Sequence, residues 1–268
     1  MDQYLRLLWL IPLGFLAGAY GTLIGAGGGF VLAPALLLIY PAEASETITS
    51  ISLAVVFFNA LSGTIAYTKA KRINYKAGMS FAAATVPGAV AGALANIAVS
   101  RTKFDMIFGV LLVAVAVFLA LNPGEKGAAS FAQASLDLPS IGKLSAPTLF
   151  AGVVLSAIFG FISSFFGIGG GFLYMPALVH LLRFPVHNAT ATSLFILTIT
   201  AFAGSATHIA SGLFHHGIRR AVLLAIGAIL GAQIGASLSH RLRGDWIIRG
   251  LALALGLVGL RLVTTALW

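Results

Sequence analysis

The sequence predicts an all-α polytopic membrane protein made of two five-segment repeats, the second inverted relative to the first. Three observations carry this: the composition, the spacing of apolar runs and a duplicated glycine motif. Of 268 residues, 59% are hydrophobic and 9% charged, and the mean hydropathy is +1.01. Soluble domains run about 45–50% apolar and about 25% charged. This chain has too few polar groups to cover a water-facing surface. A soluble enzyme and a secreted disulfide scaffold are excluded, and the chain has no cysteine. The net charge of +9 falls almost entirely between apolar runs, which is membrane anchoring by the positive-inside pattern. No nucleic-acid partner is expected.

The first repeat covers 1–121. Its opening apolar run, 4–23, is long enough to cross a hydrocarbon core. Arg6 and Ala17-Gly18-Ala19 imitate a signal peptide, but the same pattern returns mid-chain at 147–166. A short run, 30–40, follows a glycine cluster. Eleven helical residues rise only ~17 Å, about half the core. Long runs at 46–68, 77–99 and 104–121 complete the unit. A polar stretch, 122–146, holding Pro123 and Pro139, reads as the linker. The second repeat, 147–268, gives long runs at 147–166, 188–210, 218–240 and 245–267, with a short one at 172–182. That makes eight long spans and two short ones. Lys69, Lys71, Arg72 and Lys76 form the densest basic loop, which belongs in the cytoplasm.

Gly25 to Leu36 (GAGGGFVLAPAL) matches Gly167 to Leu178 (GIGGGFLYMPAL) at an offset of 142 residues, with eight of twelve positions identical. The match continues through Thr49 and Thr190, Ser52 and Ser193, and Gly63 and Gly204. Gly88 and Gly92 then pair with Gly231 and Gly235. Five crossings per unit, or three if each short helix and its glycine arm together make no net crossing, is an odd number and inverts the second copy, whereas one crossing plus one re-entrant dip would give a parallel repeat. Such repeats mark secondary transporters.

The glycines break apolar helices. Unwound backbone inside a membrane is tolerated only where it is buried in protein or lines a cavity. A helix restarting at Phe30 or Phe172 presents unpaired N–H groups and a positive dipole end, which suits an anion. The expected binding residues are therefore Gly27, Gly28, Gly29 and Phe30, with Gly169, Gly170, Gly171 and Phe172. Hydroxyls donate to oxyanions without adding charge, which adds Thr49, Ser52, Thr190 and Ser193. Asn59 and Thr200 sit at equivalent places deeper in the same segments. Pro34 and Pro176 read as structural. Other small-residue ladders read as helix-packing faces: Gly14/Gly18, Gly21/Gly25, Gly88/Gly92 and Gly227/Gly231/Gly235.

No Asp or Glu falls mid-span, which disfavours cation transport and carboxylate proton relays. His208, whose counterpart is Tyr67, is the one titratable residue well inside a long run and a coupling position. His215 and His216 lack a third ligand for a metal. No cofactor and no catalytic constellation are expected.

The duplicated motif in two halves of a membrane chain resembles the TauE/SafE sulfite exporter family over nearly the whole length. Lys69 to Lys76 and Asn188 to Ser193 resemble it as well. The resemblance implies export of a small sulfur-containing anion such as sulfite, sulfoacetate or a related organosulfonate. It also implies a multi-pass protein of the cell inner membrane. Uptake of an inorganic or carboxylate anion by the same fold, or a passive anion channel, are the alternatives. The partners expected are a small anionic substrate and the lipid bilayer, and a homodimer suits a bundle of this size.

Overall fold

The computed structural model describes residues 7–121, 146–180, 184–213, 217–238 and 245–267. The linker segment 122–145, His215 and His216 lie outside the described residues. Ten helices are present among the described residues, and no strand: α1 (Leu10–Leu23), α2 (Gly29–Ile39), α3 (Ser45–Lys69), α4 (Tyr75–Ile97), α5 (Arg101–Leu121), α6 (Ala146–Phe166), α7 (Gly171–His180), α8 (Val186–Ala210), α9 (Ile218–Leu238) and α10 (Asp245–Leu267). Each predicted apolar run corresponds to one helix. Among the described residues, four stretches are long and apolar enough to cross a membrane: α3, α4, Asn188–Ala210 of α8, and α9. The short helices start at Gly29 and Gly171, one residue earlier than the first aromatic residue. Pro34 lies inside α2 rather than at its end.

The packing treats the two halves alike. α1 packs on α9, and its counterpart α6 packs on α4. α3 packs on α9, and α8 on α4. α3 and α8 pack on each other, as do α5 and α10. Both of these self-paired contacts are antiparallel. Thr64 meets Thr198 at one end of the α3–α8 pair, while Gly204 faces Leu53 at the other. In the α5–α10 pair Gly109 faces Gly259 and Val263, and Gly256 faces Ala116.

The α1–α9 and α4–α6 pairs run parallel, and glycine makes their approach possible. A Cβ on Gly227, Gly231 or Gly235 would collide with the backbone carbonyl of Ile11, Phe15 or Ala19. A Cβ on Gly88 or Gly92 would collide with that of Ala157 or Phe161. Lipid is as apolar as leucine, so close van der Waals packing supplies the attraction between such helices. The expected ladder of Gly21 and Gly25 does not form. Gly21 abuts Gly28 of its own repeat, and Gly25 lies in the loop against Thr190. Their four-residue spacing matched a packing face, but the helix ends at Leu23 before the second glycine.

Gln233 ties α9 to α3 by donating to the Ser62 carbonyl at 3.0 Å and its hydroxyl at 2.7 Å. An aromatic cluster fixes the end of α6 against α5: Phe108 stacks on Phe166 at 5.0 Å, and Phe165 meets Phe166 edge-on at 4.8 Å. That cluster anchors the stem from which the second glycine loop leaves.

Candidate functional site: the glycine junction

The two glycine loops meet at the centre of the bundle. Gly25, Gly27 and Gly28 take left-handed φ angles of 75°, 77° and 75°. Such angles cost an L side chain roughly 1–2 kcal/mol, which explains why glycine recurs here. In the second loop Gly167 and Gly169 do the same, at 68° and 69°. The expected symmetry breaks at the next position. Gly170 has no left-handed φ, and its N–H donates to Ser163 Oγ at 2.7 Å. Gly21 stands where Ser163 would be in the first repeat, and it packs directly on the Gly28 nitrogen.

The loops also interlock across the halves. The start of α2 at Gly29 abuts the Ile168 carbonyl, and the start of α7 at Gly171 abuts Gly25 and Ala26. Gly27 and Gly169 both pack against Val56 and Leu197, which are counterparts on α3 and α8. Ser52 Oγ donates to the Gly167 carbonyl at 2.6 Å. Reciprocally, Ser193 Oγ donates to the Gly25 carbonyl at 2.9 Å. Each repeat thus supplies the serine that satisfies the other's unwound backbone. Thr49 and Thr190 lie against Gly167 and Gly25 in the same crossed manner.

Every predicted hydroxyl and amide at this junction is buried: Thr49, Ser52, Asn59, Thr190, Ser193 and Thr200. Phe30 is buried with its ring 5.8 Å from that of Tyr20. Phe172 holds the corresponding backbone place in α7, and its side chain lies outside the described residues. In this close-packed conformation the serine protons go to protein carbonyls rather than outward. Thr200 bonds back to the Ile196 carbonyl within its own helix. Thr22 Oγ1 donates to Asn59 Oδ1 at 3.3 Å, and Asn59 Nδ2 has no acceptor among the described residues.

Different chemistry holds the outer ends of the short helices. Beyond α2, Arg101 donates to the carbonyls of Leu37 and Glu43 and pairs with Asp105 at 2.7 Å. Arg220 pairs with Glu43 at 2.6 Å and lies 4.4 Å over the Tyr40 ring. A cation at the carbonyl end of a helix is favourable. Beyond α7, among the described residues, the Phe184 N–H donates to the Leu178 carbonyl, and Asn188 Nδ2 to the Arg72 carbonyl at 3.1 Å. Tyr174 pins α7 itself, through Thr85 of α4 and the Ser156 carbonyl of α6. The cavity beside Tyr174, about 20 Å³, has room for one water.

Sequence reasoning missed Ser163 and Ser164, whereas Asn96 stands out in the sequence as a single interior amide, open to a packing or a pathway role. Ser163 holds the second loop, and Asn96 Nδ2 donates to the Phe165 carbonyl at 2.9 Å. Ser164 sits 142 residues after Thr22, so the repeat offset itself was the signal.

The geometry is thus a pair of broken helices interlocked about a common centre. The sequence profile of the Sulfite exporter TauE/SafE family matches residues 10–262. The chain belongs to the TauE/SafE family. A probable membrane transporter of Bacillus subtilis (strain 168), YunE, is 32% identical over 95% of this chain and 96% of its own. A probable membrane transporter of Methanocaldococcus jannaschii is 28% identical over 96% of each chain. One from a Sinorhizobium species is 28% identical over 86% of this chain and 82% of its own. No solved structure matches the chain significantly. This TauE/SafE protein is a multi-pass membrane transporter for a small molecule, and not an enzyme.

Proposed function

We propose that this transporter exports a small sulfur-containing anion, such as sulfite, sulfoacetate or a related organosulfonate, across the cell inner membrane by alternating access of two inverted repeats. The observation that carries the reading is the reciprocal junction, Ser52 on Gly167 and Ser193 on Gly25. A two-fold axis lying in the membrane plane turns a spanning helix upside down. The antiparallel α3–α8 and α5–α10 pairs are what such an axis requires, and they support inversion. Eight long and two short segments fit that scheme.

In this mechanism the close-packed junction is the occluded state. Rocking one repeat against the other parts the loops on one side. The N–H groups of Gly27 to Phe30, or of Gly169 to Phe172, then face the anion. Thr49, Ser52, Thr190 and Ser193 turn their protons to it, with Asn59 and Thr200 behind them. The junction holds no Lys or Arg, so backbone dipoles and hydroxyls supply the attraction. Moving one negative charge out of a cell that is negative inside gains ~2.3 kcal/mol per 100 mV, which drives export unaided. The Val56 and Leu197 seal favours a carrier over an open channel.

Ligand-induced thermal stabilisation tests the class of substrate, because a ligand of the folded state raises stability by mass action. Selective stabilisation by sulfite or sulfoacetate over acetate and neutral solutes supports the proposal. Stabilisation by a cation or a neutral solute, with none by any anion, overturns it.

A further inference from the structure

We propose that Ser164 and His208 form a proton-linked oxyanion site beside the glycine junction, with Asn96 Oδ1 accepting from the imidazolium, and that it takes up one proton with each anion. The inference rests on the anion-transport reading and deepens it. Its starting point is a set of buried polar atoms left over by the fold. Asn96 Oδ1, Ser164 Oγ and both ring nitrogens of His208 have no hydrogen-bond partner among the described residues, and all three residues are fully buried. Leaving such a group unpaired costs about 1–3 kcal/mol, so several together point to something the site receives.

The backbone brings them to one place. The last turn of α6 carries Ser164 and Phe165, whose carbonyl accepts from Asn96. Gly204 of α8 faces Ser164 Oγ with nothing between. His208 lies four residues further along α8, on the face that Gly204 presents. In the first repeat the counterpart side chain is aimed at the equivalent place. Tyr67, the counterpart of His208, has its hydroxyl 3.5 Å from the carbonyl of Thr22, the counterpart of Ser164. There the hydroxyl of Thr22 is taken up by Asn59. In the second repeat the Ser164 hydroxyl and the His208 ring have no such partner among the described residues. The site adjoins the junction, because Asn96 also reaches Thr49 at 3.4 Å, and Thr49 packs on Gly167.

A lone buried charge is costly, whereas a hydrogen-bonded pair is not. An imidazolium at His208 and an oxyanion beside it therefore stabilise each other, with Ser164 as a further donor. The other titratable and charged groups on the helices packed against α8 are few. α6 carries none. Tyr75 and Lys76 of α4 lie at the opposite end of α8, beside Thr192 and Phe195. Tyr67 and Lys69 of α3 lie toward that same end, past Gly63 and Leu194. Tyr174 and His180 are on α7, where Tyr174 is bonded to Ser156, and Tyr20 of α1 lies by Phe30. Glu46, in the first turn of α3, is the carboxylate nearest in height to His208 along the antiparallel pair, and it is partly exposed at the mouth.

Titration calorimetry with sulfoacetate tests this, because its ordinary carboxylate and its sulfonate both stay ionised between about pH 6 and 8. Runs in two buffers of different ionisation enthalpy give the protons taken up per anion. The expected result is about one proton in the native protein and affinity falling about tenfold per unit rise in pH. His208→Gln is expected to bind more weakly with no proton uptake, and Ser164→Ala to bind several-fold more weakly with uptake retained. His208→Tyr, which installs the first repeat's own residue, is the folded control should His208→Gln unfold, and it too is expected to take up no proton. Glu46→Gln is expected to keep the uptake. Anion binding without proton uptake in the native protein overturns this inference and leaves the transport reading standing. So does uptake lost in Glu46→Gln but retained in His208→Tyr. No binding of any anion at any pH overturns both.

Discussion

Ser52 donates a 2.6 Å hydrogen bond to the carbonyl of Gly167, a residue of the other repeat 115 positions away. Ser193 returns the bond to Gly25 at 2.9 Å. The unwound loops are therefore satisfied by each other's repeat and not by their own, which couples any movement of one half to the other. A loop that left its serine would need another donor or acceptor inside the membrane.

Replacing either serine by alanine orphans a buried carbonyl. Ser52→Ala and Ser193→Ala are each expected to cost about 1–3 kcal/mol. Because the two bonds share one junction, the double variant is expected to depart from additivity. Thermal unfolding of the four proteins in one detergent checks this. A Ser52→Ala variant as stable as the native chain would remove the bond from the account.

The two glycine loops are expected to respond differently to the same change. Gly28 has φ +75°, and a Cβ there would sit 2.5 Å from the Ala17 carbonyl. Gly170 has no such φ, and its nearest neighbours are the Tyr174 ring at 3.2 Å and Ser163 Cβ at 3.3 Å. Gly28→Ala is expected to lose at least the roughly 1–2 kcal/mol of left-handed strain. Gly170→Ala is expected to stay within about 1 kcal/mol of the native protein. Melting temperatures of the pair decide, and equal losses would contradict the asymmetry.

Helix-packing glycines grade by the same geometry. A Cβ on Gly231 would strike the Phe15 carbonyl and one on Gly256 would meet only Ala116 Cβ at 3.4 Å. Gly231→Ala is expected to destabilise by several kcal/mol or prevent folding, through overpacking against backbone. Gly256→Ala is expected to be neutral or slightly stabilising, given the helix preference for alanine. Yield of monodisperse protein and its melting temperature measure both.

Arg101 bridges two carbonyls and one carboxylate at the end of α2. A planar guanidinium can do this, and a single ammonium cannot. Arg101→Lys is therefore expected to behave like Arg101→Met, each losing about 1–2 kcal/mol. Glu43→Gln, which loosens only the partly exposed Arg220 pair, is expected to lose under about 1 kcal/mol. Rescue by lysine in the melting curves would show that charge alone holds this end.

Most of the architecture was legible because bilayer physics leaves few options for so apolar a chain. Among the described residues the ten apolar runs appear as ten helices, and the glycine motif located both breaks. Contacts across the chain were not legible. Gly21 and Gly25 had the spacing of a packing face, and only the end of α1 at Leu23 separates their roles. Ser163 looked like any hydroxyl in an apolar run until α7 placed Gly170 beside it. Arg220 and Glu43 are 177 positions apart, and nothing local joins them. The hydroxyls were expected to serve an anion. Their bonds to glycine carbonyls became visible only once the repeats were seen to interlock.

The central claim is anion export through the glycine junction, and the most direct measurement is efflux from proteoliposomes. Vesicles loaded with labelled sulfoacetate or sulfite would be assayed with an imposed potential, negative inside, against vesicles without one. The account predicts saturable, protein-dependent efflux that accelerates with the potential, competes with unlabelled sulfonate and is slowed by combining Ser52→Ala with Ser193→Ala. Efflux that ignores every sulfur anion in the folded native protein, while a cation or a neutral solute crosses, would contradict it.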